Sequence, residues 1–161
     1  MTRLPSLGRR GEGWLVGQLV LIAAIGTLGL PGLGSLPPLT GVRWAALILG
    51  LGLLAAGIAL GGLGVRELGP GLTALPRPRP TAGLVESGVY RHIRHPIYAG
   101  VMLAGVGWAV AMASLPALVA SLALIAWFDL KARREEAWLL ERFTAYADYR
   151  ARTRRFLPAV Y

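Results

Sequence analysis

The chain contains no cysteine. Disulfides, a thiolate nucleophile and Cys-ligated metals are therefore excluded, and the redox compartment leaves no trace in the sequence. Histidine is scarce too, with two residues; without a supporting carboxylate geometry these do not make a metal centre. Acidic residues number 8 against 17 Lys and Arg, a net charge of +9. Charge is missing altogether from three long stretches: between Glu12 and Arg43, from Trp44 to Val65, and from Pro96 to Phe128. A 161-residue chain that is 55% apolar is too apolar for an ordinary soluble domain and too short to call for two. Residues 1–161 read as one membrane-embedded domain.

The uncharged stretches set the spans. Trp14 to Leu30, with flanks to about residue 33, can cross a hydrocarbon core of about 30 Å. It runs into the turn-rich segment Gly32 to Pro38. Trp44 to Val65 is a second full span. The third stretch is too long for one span, and Ser114-Leu115-Pro116 breaks it into a hairpin, Ile97 to Ala113 and Pro116 to Leu130. Each arm is short, so tilt or local thinning is expected. Lipid cannot satisfy open backbone groups, and no barrel-like alternation of period two is present, so all four segments are expected to be helices. The predicted fold is all-α, an integral membrane protein with about four transmembrane helices and a cytoplasmic C-terminal helix.

Of the 17 basic residues only Arg43 falls between spans one and two; the rest lie on one side. The positive-inside rule then puts both termini in the cytoplasm. Attraction to anionic headgroups accounts for the basic excess, and a nucleic-acid partner is disfavoured. The first span reads as a retained helix rather than a signal peptide, because its apolar core is long and no A-x-A site follows. Gly13-x-x-x-Gly17 and Gly57-x-x-x-Gly61 each place two glycines on one helix face, which permits close packing and a possible homodimer.

Two polar segments hold the chemistry. Arg66 to His95 contains Pro76-Arg77-Pro78-Arg79-Pro80, an extended connector because alternating prolines fix φ and remove donors. Both histidines, His92 and His95, sit at its end. Lys131 to Tyr161 carries Glu135 and Glu136, and the helical spacing of Leu139, Leu140 and Phe143 predicts a helix continuing to about Ala147.

Ser87-Gly88-x-Tyr90-x-x-x-Arg94-His95-Pro96-x-Tyr98-x-Gly100 resembles the corresponding segment of isoprenylcysteine carboxyl methyltransferases and phospholipid N-methyltransferases. Glu135-Glu136 resembles their paired glutamate. Phe143-x-x-Tyr146-x-x-Tyr149-x-x-x-Thr153-x-Arg155-Phe156-x-Pro158 is similar to their C-terminal signature. The resemblance covers residues 84–158, which would be the cofactor-binding portion; residues 1–65 match only as generic spans. Val89 stands where these families usually carry Pro, and Thr144 where Gly follows the Phe. These departures point to a divergent, bacterial-type member of the inner membrane, so the prenylcysteine substrate does not transfer automatically.

The resemblance implies an S-adenosylmethionine-dependent methyltransferase acting at the cytoplasmic membrane face on a lipid-like or small apolar acceptor, by way of a carboxylate, amine or thiol. That cofactor carries a sulfonium, an ammonium and a carboxylate, so carboxylates, a cation and an apolar slot are expected. Adjacent helix positions diverge by about 100°. One of Glu135 and Glu136 should therefore face the ligand while the other orients Arg94 or another arginine. The alternative is surface pairing with Lys131, Arg133 or Arg134. Pro96 suits the first turn of a helix, whose exposed amides favour a carboxylate that His95 can bind. The implied catalytic set is Arg94, His95, Glu136 and Arg155. The implied cofactor contacts are Tyr90, His95, Pro96, Tyr98, Gly105, Gly107, Glu135, Glu136 and Tyr146. Gly105-x-Gly107 has an equally good alternative as a packing surface against span four, and the aromatics Tyr98, Trp127, Trp138, Tyr146 and Tyr149 as an interfacial belt. Two other functions compete: a nicotinamide-dependent membrane reductase related to sterol reductases, and a non-catalytic scaffold.

Overall fold

The computed structural model describes residues 5, 7–31, 40–75 and 83–157. The segment Gly32 to Pro38, the Pro-Arg alternation at 76–80, and Pro158 lie outside the described residues. Among the described residues five helices follow in order: α1 (Glu12–Gly29), α2 (Gly41–Leu68), α3 (Pro96–Ala111), α4 (Leu115–Arg142) and α5 (Tyr146–Arg152). Short 3₁₀ turns at Gly69–Gly71 and Gly88–Arg91 lie between α2 and α3. No strand occurs among the described residues; one isolated parallel bridge joins Ile93 to Arg154.

Among the described residues three helices, α1, α2 and α4, are long and apolar enough to cross a membrane, and α3 is a shorter apolar helix. Exposed Val16, Val20, Ile48, Ile58 and Val119 present the apolar outer surface that lipid requires. The protein is an all-α membrane protein.

Several boundaries differ from expectation. Helix α2 begins at Gly41, so Arg43 belongs to the helix and is buried rather than lying in a polar connection. The fourth span is not a short arm: α4 has 28 residues, about 42 Å at 1.5 Å per residue, and carries its polar half well beyond the apolar part. The 16-residue α3 remains short. The expected extension to Ala147 fails. Phe143 leaves the helix in an extended conformation (φ −116°, ψ 114°), and Tyr146 starts α5 with its amide on the Phe143 carbonyl at 3.1 Å. Tertiary contact decides the break, because the turn lets Tyr149 fold back and donate its hydroxyl to the Tyr90 carbonyl at 2.8 Å.

Glycine sets the close approach of α2 and α3. A Cβ on Gly57 would lie 2.5 Å from the Gly100 carbonyl oxygen, and one on Gly100 would lie 2.5 Å from that of Gly57. Gly61 faces the same helix, and Gly17 lies under the Trp127 ring of α4. Both GxxxG pairs thus serve contacts within the chain. Tip residue Ser114 caps α4 by accepting from the Ala117 amide at 3.2 Å and donates to the Leu28 carbonyl at 2.8 Å, tying the hairpin to α1.

Candidate functional site

The turn at Gly88–Arg91 and the start of α3 bring Tyr90, Arg94, His95 and Tyr98 to one end of the bundle. The protruding half of α4 brings Glu135 and Leu139, and α5 closes the group with Tyr146 and Tyr149. Together they line a cavity of about 110 Å³. Gly71, Thr73, Leu84 and Val85 complete its wall. Residues 92–95 and 153–156 are held side by side by backbone bonds: Arg94 amide to Arg154 carbonyl (2.8 Å), Arg154 amide to His92 carbonyl (3.1 Å) and His95 amide to Arg155 carbonyl (3.1 Å).

The two glutamates take different positions. Glu135 lines the cavity, accepting from the Tyr98 hydroxyl at 2.7 Å and lying 3.8 Å from His95 Nδ1. Glu136 is buried behind the wall. It accepts from Arg94 Nε (2.9 Å), from Arg155 Nε and Nη2 (both 3.2 Å), and lies 3.3 Å from His95 Nε2. Arg155 also donates to Asp129 at 2.8 Å, and Asp129 accepts from Arg133 at 2.7 Å. Burial alone would push the Glu136 carboxyl up. The hydrogen bonds from His95 and Arg155 and the charges of His95 and Arg94 overcome it and hold the group well below the ordinary carboxylate range. A carboxylate only accepts, so His95 Nε2 is the donor of its 3.3 Å contact with Glu136, and Nδ1 lies on the Glu135 side.

The tyrosines are held as donors. Burial, and then the Glu135 charge, raises the Tyr90 hydroxyl above its usual range; burial and Glu136 do the same for Tyr146. Tyr90 donates to the Gly64 carbonyl at 3.3 Å. The Tyr146 hydroxyl is buried and has no hydrogen-bond partner among the described residues.

Not every expected residue arrives here. Pro96 is the first residue of α3, as its fixed φ favours, but it packs on Gly64 and does not line the cavity. Gly105 and Gly107 are removed from it. A Cβ on Gly107 would meet α2 at Leu54 and Gly50, and Gly105 faces Ile25 and Ser121. Gly107 therefore serves packing, and against α2 rather than span four. Arg134 stacks over Trp138, 4.3 Å from the ring centroid. Lys131, expected on the surface, is fully buried. Sequence reasoning also missed Asp129, whose i, i+4 spacing to Arg133 was its one visible signal, and the wall residues Gly71 and Thr73, which carry none.

On the other side of the 89–98 segment lies a larger apolar groove of about 710 Å³. Met102, Leu103 and Val106 of α3 face Leu122, Ile125 and Ala126 of α4 across it, and His92, Ile93, Asp129 and Phe156 close its polar end. Phe156 lies 5.9 Å from the His95 ring, which itself stacks on Tyr98 at 5.3 Å. His95 thus stands between the polar cavity and the apolar groove.

The helical bundle thus carries a cavity lined by Glu135, His95 and tyrosines beside an apolar groove between α3 and α4. Residues 45–146 match the phospholipid methyltransferase family. This is more than half of the chain, and the protein belongs to that family, a family of membrane methyltransferases. A search of curated proteins gives no match. The matched region contains α3, α4 and nearly all of α2; α1 and the Thr153–Phe156 segment lie outside it.

Proposed function

We propose that the protein transfers a methyl group from S-adenosylmethionine to a lipid-like or small apolar acceptor, isoprenylcysteine-like carboxylates among the candidates, at the cytoplasmic face of a bacterial-type inner membrane. The observation that carries this reading is the pairing of the two spaces across His95: a cavity lined by Glu135 and Tyr146, and an apolar groove between α3 and α4. The charge asymmetry of the sequence supports the orientation.

The donor set suits the cofactor. Glu135 offers a carboxylate to an ammonium. The Tyr146 hydroxyl, buried without a partner at a cost of about 1–3 kcal/mol, offers a donor to a carboxylate or ribose oxygen. Leu84, Val85, Leu139 and Phe143 offer apolar cover to an aromatic base. When bound, S-adenosylmethionine supplies a methyl carbon activated by its sulfonium. The residues of the chain then align and exclude water. The Glu136–Arg94–Arg155 network fixes the backbone on which His95 and Tyr98 sit, and Phe156 seals the groove side. A carboxylate or thiolate acceptor needs no base. For an amine, His95 Nδ1 is the site placed to hold the released proton; Glu136, held ionised by three donors, is too weak a base.

Calorimetric titration of detergent-purified protein tests the reading. S-adenosylmethionine is expected to bind in the micromolar range, with loss of affinity in Glu135→Gln. Binding of NADPH in its place would establish a reductase, and binding of neither by folded protein would leave a scaffold.

A further inference from the structure

Lys131 lies one turn before Glu135 on α4 and is fully buried. A buried ammonium persists only where acceptors replace its water. Here they come from two elements remote in sequence. The amine donates to the Gln18 side-chain carbonyl of α1 and, at 2.9 Å, to the Ala74 backbone carbonyl in the segment after α2. It also lies over the Tyr98 and Phe128 rings, 5.0 and 5.8 Å from their centroids. Both contacts lead to the cavity: Tyr98 holds Glu135, and the segment of Ala74 supplies wall residues Gly71 and Thr73. That segment has little regular structure of its own. α2 breaks at Gly69 (φ +49°), and the bonds within it run from the Leu72 amide to the Gly69 carbonyl and from the Leu75 amide to the Thr73 hydroxyl.

We infer that Lys131 and Gln18 form a latch that positions the Gly71–Leu75 wall and the Tyr98–Glu135 pair, so that α1, which lies outside the family-matched residues, sets the affinity of the cavity for S-adenosylmethionine. Lys131 is a positioning residue, since it touches the wall and not the cavity itself. The inference rests on the cofactor reading above for its ligand.

Two measurements on the full chain in detergent test it: hydrogen exchange at the amides of residues 72–75, and the Kd for S-adenosylmethionine. Lys131→Met keeps an unbranched side chain one atom shorter and removes its donors. Exchange at 72–75 should rise about tenfold or more, and the Kd should rise by a similar factor, the loss expected for a bond to a charged group. Exchange within the α4 span should be unchanged. Gln18→Leu should shift both readouts in the same direction, and Gln18→Glu, which retains an acceptor, should leave both near wild type. If Lys131→Met loses protection throughout α4, Gln18→Leu decides by the same two criteria. Exchange at 72–75 within about twofold of wild type overturns the latch whatever the ligand does. Raised exchange with an unchanged Kd overturns the positioning role. A wild-type chain that binds no S-adenosylmethionine overturns the cofactor reading and the affinity half of the inference, and exchange still decides the other half.

Discussion

Removing the Glu136 carboxylate is the sharpest perturbation that the geometry allows. Three cationic or polar donors converge on it, and the side chains of Arg94, His95 and Arg155 are 8%, 5% and 12% exposed. Glu136→Ala removes the carboxylate shared by Arg94, Arg155 and, at 3.8 Å, Arg150, and leaves Arg94 buried without its anionic partner. Breaking a buried ion pair by deleting one partner costs about 3–5 kcal/mol. For a chain of this size each kcal/mol moves the unfolding midpoint by about 2–4 °C, so a fall of about 6–20 °C is expected. Glu136→Gln keeps the shape and one acceptor oxygen and should fall between. Thermal unfolding in detergent, followed by circular dichroism, reads the shift. The pH dependence supplies a second check. The native carboxyl titrates below its ordinary value of 4.5, so its ionised form stabilises the fold at and above that pH. The stabilisation is lost as pH falls from 4.5 through the lowered native value. The acid limb of the wild-type stability curve should therefore be steeper than that of Glu136→Gln. A midpoint for Glu136→Ala within about 2 °C of wild type, with superimposable acid limbs, would refute the claim that this carboxylate organises the site.

Tyr146→Phe should bind S-adenosylmethionine about threefold to tenfold more weakly, the worth of one neutral hydrogen bond. Its unliganded stability should be equal or higher, because the deleted hydroxyl has no partner; parallel calorimetry and thermal unfolding separate the two effects. Val106→Trp should fill the groove and lower kcat/KM for an apolar acceptor by about tenfold or more while leaving S-adenosylmethionine binding intact. Gly57→Leu drives a side chain into the Gly100 carbonyl and should cost about 1–3 kcal/mol, read as a lower yield of monodisperse protein and a lower midpoint.

The spans were legible because lipid imposes a composition: a helix face in hydrocarbon cannot carry charge, so gaps between charged residues outline the apolar portions of α1 to α4, though not the helix ends. The end of α4 was not legible. Leu139, Leu140 and Phe143 keep helical spacing up to the break, and only the distant Tyr90 carbonyl, waiting for Tyr149, makes leaving the helix worthwhile. Gly105-x-Gly107 illustrates a different limit. The same two glycines answer equally to a nucleotide and to a neighbouring helix, and the answer at Gly107 depends on Gly50 and Leu54, more than 50 residues away. Lys131 was hidden for a similar reason. Periodicity places it on α4, but its burial follows from where α1 and Ala74 arrive. For Glu135 and Glu136 adjacency implies divergent directions, and which one faces the cavity depends on where the 3₁₀ turn at Gly88–Arg91 leaves Arg94.

The site draws on three parts of the chain with different standing. The family-matched region 45–146 contains Tyr90, Arg94, His95, Tyr98, Glu135, Glu136 and Tyr146. The segment beyond it supplies Arg155, which reaches from Glu136 behind the cavity wall to Asp129 at the end of the groove, and Phe156, which separates the two spaces. α1 supplies Gln18 on Lys131, together with Trp14, whose carbonyl accepts from Trp127 at 3.1 Å. A residue that bonds both Glu136 and Asp129 cannot move for one without disturbing the other. Any acceptor that displaces Asp129 at the head of the groove therefore acts, through Arg155, on the carboxylate that also holds Arg94 and contacts His95.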